Sequence, residues 1–165
     1  MQRHDSQRGF FAYELNKLMY KYSDIYLLMG DLGYGMFDEI RERFSNRAIN
    51  VGAAEQAMVD IGIGLALENK IPICYSITPF LLYRPFESIR TYINHEKPKI
   101  ILVGGGRDDD YKHDGWSHNA SDVKPFMDLF KNIKSYYPEN KEEITFEFVK
   151  KIIEEKGPCF LSLKR

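Results

Sequence analysis

Cysteine is scarce. The 165 residues contain two, Cys74 and Cys159, both in apolar runs. The expectation is buried free thiols of a cytosolic protein rather than a disulfide framework. Long apolar runs are missing too: none approaches the roughly 20 residues of a membrane-spanning helix, and the polar opening 1–9 does not read as a secretory signal. Charge of neither sign dominates. The formal net charge is −1, which gives no reason to expect a nucleic acid or an anionic membrane as partner. Repeats, low-complexity segments and domain linkers are also lacking, so one domain with its own core is expected. Gly104-Gly105-Gly106 follows an apolar run, but no Lys-[Ser/Thr] comes after it and no G-x-G-x-x-G is complete. That argues against a nucleotide-phosphate loop.

What is present is ordinary in bulk. Hydrophobic residues make up 44% and charged ones 28%, as in globular chains. Aromatics reach 14%, with eleven Tyr and eleven Phe, which points to a thick core or a large interface. Phe11, Leu15, Leu18, Met19 and Tyr22 recur at helical spacing and predict a helix over 10–22. Short apolar runs at 25–29, 48–51, 71–75, 99–103, 133–136 and 159–163 predict strands. Further helices are expected over 37–44, within 50–68, over 80–94, from 121–122 to 130, and over 142–155; Pro85 counts against the first turn of the 80–94 pattern. Strands that are short, apolar throughout and separated by helices imply a three-layer α/β domain with a mainly parallel sheet covered on both faces. Ligands bind outside the carboxyl ends of such strands. The loops to watch are therefore 30–35, 51–55, 76–84 and 104–118.

The stretch 50–68 is the clearest helix. Its one first-turn carboxylate, Glu55, has a bland explanation, since an acid there complements the helix dipole. Yet Glu55 shares a helix face with Val59, Gly62 and Ala66, an uncharged stripe whose small residues permit close approach. Gly52-Ala53-Ala54 before it leaves room for a flat ligand. A carboxylate so placed would be partly desolvated, with a raised pKa suited to proton transfer. Phe80, Tyr83 and Phe86 recur every third residue beyond the third strand. They fit the core of an amphipathic helix, or one ring stacked on a planar ligand. His113, Asp114 and His118 lack the helical or cysteine spacing of a metal site, so no metal ligands are expected on this chain.

Several stretches of the chain resemble the transketolase superfamily, specifically its pyrimidine-binding domain for thiamine diphosphate. Gly52-Ala53-Ala54-Glu55-Gln56-Ala57-Met58 with Gly62-Ile63-Gly64-Leu65-Ala66 resembles the family's G-hydrophobic-x-E-[QH]-x-M helix. Phe80, Tyr83 and Phe86 match its F-x-x-[FY]-x-x-[YF] segment, and Asp114-Gly115-Trp116-Ser117-His118 resembles D-G-P-T-H, with Trp for Pro and Ser for Thr. Gly30-Asp31-Leu32 is similar to the A-D-L end of its first strand, and residues 157–165 to its last strand. The resemblance implies that Glu55 hydrogen-bonds the aminopyrimidine nitrogen and favours the imino tautomer that deprotonates thiazolium C2. It implies further that Tyr83, or else Phe80, stacks on the pyrimidine, with Phe86 the third aromatic of the cofactor motif. His118 would reach the substrate of a ketose or 2-oxo acid reaction, and Asp114 would orient or polarise it.

The departures from the pattern carry as much information. The family holds the diphosphate through Mg²⁺ with a G-D-G sequence and a downstream Asn; this chain has no G-D-G. Tyr137-Pro138 stands where the resemblance implies a phosphate-gripping Arg-Pro, Gly106 stands where a His is usual, and Arg107 is a candidate substitute contact for phosphate or carboxylate. The diphosphate-binding and C-terminal domains are expected to be absent. The resemblance thus implies a pyrimidine-binding subunit of a split thiamine diphosphate enzyme, performing ketol transfer or related C–C chemistry. Mg²⁺ ligands would lie on a partner chain, in a homo- or hetero-oligomer. The alternatives are a non-catalytic binding or scaffolding module of the same fold, or a subunit of a 2-oxo acid decarboxylase. Phe80-Leu81-Leu82-Tyr83 is the expected exposed apolar surface for the partner.

Overall fold

A computed structural model describes residues 2–165. The chain opens with α1 (Gln7–Lys21), β1 (Ile25–Met29), α2 (Asp38–Arg43) and β2 (Ala48–Asn50). It continues with α3 (Glu55–Leu67), β3 (Ile71–Ile77), α4 (Thr78–Tyr83) and α5 (Phe86–Ser88). A π-helical turn, Ile89–Ile93, joins α5 to α6 (Asn94–Glu96), and β4 (Ile101–Gly105) follows. Two 3₁₀ turns, Lys112–Asp114 and Trp116–His118, lead to α7 (Val123–Met127) and β5 (Lys134–Tyr136). The chain ends with a 3₁₀ turn (Lys141–Glu143), α8 (Phe146–Glu154) and β6 (Cys159–Leu163).

The strands form one six-stranded sheet in the order β2-β1-β3-β4-β6-β5, with every pairing parallel. Alternate residues of each strand face opposite layers. Leu27, Met29, Ile73, Tyr75, Val103 and Leu161 join α1, α2 and α8 in one core. Leu28, Cys74, Leu102 and Phe160 join α3, α4, α7 and the π-helical turn in the other. The arrangement is the expected α/β three-layer one. Both cysteines are buried and free. Among the described residues no helix is long and apolar enough to cross a membrane.

Where boundaries depart from pattern, polar tethers explain it. α1 begins three residues before its first apolar position because Ser6 caps it, accepting from Gly9 N at 3.1 Å. Gln7 in that polar first turn is buried, donating to Pro138 O at 2.9 Å and accepting from Lys164 N at 2.7 Å. The helix expected over 80–94 is several pieces. Pro85 ends α4, and the π-helical turn still buries Ile89 and Ile93. The helix expected over 142–155 is split between a capping-box 3₁₀ turn at Asn140 and α8, capped by Thr145.

α3 sets the layer spacing. A Cβ on Gly62 would lie 2.8 Å from Cys74 Sγ and 2.9 Å from Ile100 Cδ1. The helix packs on the sheet at a distance that only glycine permits there. β1 leads outward to β2, whereas β3 and β4 run the other way, so the strand order reverses between β1 and β3. Crevices at such a reversal are where open parallel sheets bind ligands.

Candidate functional site

Glu55 starts α3 beside that reversal. Its carboxylate complements the helix N-terminus, yet it is inside the protein, 1% exposed. Ser76, next to last in β3, donates its hydroxyl hydrogen to Glu55 Oε1 at 2.7 Å. Arg84, just past α4, pairs with Glu55 Oε2. Gly30 follows β1, and a methyl group on it would sit 3.0 Å from both Glu55 Oε1 and Ser76 Oγ. The bare backbone at Gly30 is what lets the carboxylate lie against the end of β1. Gly52 (φ 78°) has open space where a side chain would be, and Ala53 and Ala54 are exposed.

From Glu55 a chain of contacts runs outward. The Arg84 guanidinium lies over the Phe80 ring, 3.9 Å from Cζ to centroid. Phe80 meets His118 edge to face, centroids 4.8 Å apart at 67°. His118 Nδ1 is 3.0 Å from Ser117 Oγ. Ser76, Glu55, Arg84, Phe80 and His118 thus form a continuous row at the carboxyl edge of the sheet. Asp114 lies on the neighbouring turn and faces His113, 3.4 Å from its Nε2.

Tyr83 and Phe86 point elsewhere. The Tyr83 hydroxyl donates to Asp122 Oδ1 at 2.7 Å, and its ring packs on Phe126 at 4.9 Å. Burial, then the bond to Asp122, pushes the Tyr83 phenol pKa up. Phe86 packs against Phe126 and Phe130. The helix break at Pro85 and the drift of a three-residue spacing around a helix separate the three rings. The apolar run expected to be a partner surface also needs correction: Leu81 and Leu82 are fully buried in the core and Phe80 and Tyr83 half-buried. The exposed apolar side chains include Trp116 at 79% and Leu67 at 72%.

Arg107 is buried, with Nε donating to Ser162 Oγ at 3.2 Å and Nη1 3.4 Å from Glu139 Oε1. It lines a cavity of about 230 Å³ with Thr78, Lys124 and Tyr137. Among the described residues no group of three or more His, Cys, Asp or Glu side chains could hold a metal ion.

Ser76 and Arg84 belong to the site without a motif having marked them. A serine near the end of an otherwise apolar strand is a usable signal for Ser76. For Arg84 the signal is its interruption of the apolar face that Phe80 and Tyr83 begin.

A family model for the transketolase pyrimidine-binding domain matches residues 6–165. The chain is similar to one subunit of an apulose-4-phosphate transketolase from Actinobacillus succinogenes, 28% identical over 122 residues, covering 74% of this chain and 39% of that protein. It is similar as well to a putative transketolase C-terminal section of Methanocaldococcus jannaschii, 28% identical over 146 residues, covering 88% and 46% of the two chains. It therefore spans less than half the length of these curated relatives. A solved structure described as a split gene transketolase, inactive beta4 tetramer, superposes with a TM-score of 0.85 at 25% identity, covering 98% of this chain and 52% of that one.

Proposed function

The chain belongs to the family of transketolase pyrimidine-binding domains, and from that premise we propose that it is the pyrimidine-binding part of a split, transketolase-like thiamine diphosphate enzyme. It works with a partner chain that binds the diphosphate. The observation that carries this reading is Glu55. It is a carboxylate buried at the strand-order reversal, beside an open Gly52-Ala53-Ala54 edge, in a chain without the G-D-G sequence for Mg²⁺.

The residues fit the cofactor's pyrimidine end. Glu55 has its Oε1 fixed by Ser76, leaving Oε2 as the oxygen directed toward Arg84 and Phe80. A protonated ring nitrogen placed there would donate a charge-assisted hydrogen bond of the strong kind to Oε2. Phe80 is the aromatic in line with Glu55, and its face is suited to stacking on the ring; Tyr83 is committed to Asp122. When bound, thiamine diphosphate supplies a carbon nucleophile for forming and breaking C–C bonds next to a carbonyl. His118, held by Ser117 against Phe80, is positioned to orient or protonate a substrate oxygen, and Asp114 to polarise a hydroxyl group. Mg²⁺ ligands belong to the partner. The reaction is ketol transfer between a ketose donor and an aldehyde acceptor, in keeping with the names of the relatives.

The test is calorimetric titration of thiamine diphosphate, with Mg²⁺, into the chain mixed with a companion chain carrying G-D-G and a downstream Asn. The mixture binds, and Glu55→Ala in this chain removes the binding. A mixture that assembles without binding cofactor overturns the proposal.

A further inference from the structure

Arg84 occupies both contacts that the cofactor's pyrimidine ring would need. Its guanidinium pairs with Glu55 Oε2, the oxygen Ser76 leaves unsatisfied, and covers the face of Phe80 at 3.9 Å. A guanidinium is flat and carries N–H donors in its own plane. An aminopyrimidine bound to a carboxylate presents the same two features. The two groups cannot share the site, because one Phe80 face holds one stacked partner and His118 already crowds the ring from another side at 4.8 Å. Arg84 is also free to leave: its side chain is 44% exposed, against 1% for Glu55, and it sits where α4 gives way to Pro85 rather than inside a helix.

We propose that Arg84 is a placeholder for the aminopyrimidine ring. In the unliganded chain it neutralises Glu55 and shields Phe80. As the ring enters, the side chain swings outward, a proton from solvent is taken up between the carboxylate and the ring nitrogen, and Glu55 exchanges an ion pair for the hydrogen bond that this proton makes. The proposal rests on the thiamine diphosphate reading given above. It makes Arg84 a positioning residue, with a consequence for affinity that a fixed support would not have. Binding competes with an internal ligand, so apparent affinity is reduced by the fraction of molecules in which Arg84 is in place.

The experiment titrates thiamine diphosphate with Mg²⁺ into the assembly formed with a companion chain carrying G-D-G, comparing wild type, Arg84→Ala, Arg84→Gln and Glu55→Ala by calorimetry. Circular dichroism checks the folding of each. Arg84→Gln keeps much of the side-chain length while removing the charge, and carries the comparison should Arg84→Ala fail to fold. The placeholder predicts that either Arg84 substitution tightens binding by about tenfold, while Glu55→Ala abolishes it. Binding that weakens or stays the same in both Arg84 variants, with Glu55 still required, overturns the placeholder and leaves the cofactor reading standing. No binding by wild type or by any variant overturns both. A ¹H–¹⁵N spectrum of the arginine side chains, with Arg84 identified from Arg84→Gln, gives a second readout. Its signal moves to that of a solvated guanidinium when cofactor is added, and an unmoved signal also overturns the placeholder.

Discussion

Ser76 and Glu55 are joined by a 2.7 Å hydrogen bond across 21 positions of sequence, tying the end of β3 to the first turn of α3. Both residues are buried, so the bond is to a charge shielded from water. Ser76→Ala should lower stability by about 1.5–3 kcal/mol, the range for a hydrogen bond to a charged group. Urea denaturation should show a lower midpoint with an unchanged slope. Gly30→Ala should be destabilising for a related reason, since its methyl would press on Glu55 Oε1 and Ser76 Oγ, each 3.0 Å away.

Two glycines of α3 should respond with opposite signs. Gly62→Ala forces a methyl against Cys74 Sγ and Ile100 Cδ1 and should cost about 1–3 kcal/mol as overpacking. Gly64 has nothing within 4 Å of where a Cβ would be, and Gly64→Ala should stabilise by about 0.5–1 kcal/mol through helix propensity alone. Thermal melts of the two variants check the pair; shifts of the same sign would contradict the packing described for Gly62.

These contrasts show what was legible in the sequence. Short apolar runs separated by helices announced the parallel sheet because burial on both faces leaves no alternation to confuse the pattern. Glu55 stood out because a charge at the head of a small-residue face is chemically odd. The contacts around Glu55 were hidden, since Ser76 and Arg84 come from other elements and meet it only after the sheet forms. The aromatic spacing did not tell which of the three rings lies beside Glu55, for a local reason. Phe80 and Tyr83 share one short helix but face different neighbours, and Pro85 detaches Phe86 from both. Leu81 and Leu82 show the limit of reading an apolar run as surface, because burial depends on a neighbouring layer that the run itself does not describe.

Acid should unfold the chain in part through Glu155. Lys134, and then the Tyr136 hydroxyl at 2.7 Å, donate to it and hold its pKa below the ordinary 4.5. A carboxylate whose folded pKa is depressed contributes stability that is complete above its unfolded value and disappears as pH falls through the folded one. Melting temperature should therefore fall below pH 4.5, and Glu155→Gln should show a shallower fall there, starting from a lower value at neutral pH. Parallel pH profiles for the two proteins would show that Glu155 has no part in acid unfolding.

Trp116 is the single tryptophan of the chain and is 79% exposed. Alone, the chain should emit at the wavelength of solvated indole and be quenched readily by iodide. The loop it shares with His118 lies at the proposed edge of the shared site, so docking of the diphosphate-binding chain should shift the emission to the blue and protect it from quenching. Unchanged emission on assembly would place the partner on another face.

The most direct measurement is turnover. The chain, mixed with a companion chain carrying G-D-G and supplied with thiamine diphosphate, Mg²⁺, a ketose donor and an aldehyde acceptor, should transfer a ketol unit. Glu55→Ala should assemble normally and lose activity by about 10² or more, the scale of a proton-transfer contribution. Equal turnover by wild type and Glu55→Ala in assemblies of equal composition would contradict the central claim that Glu55 supplies this chain's half of the site.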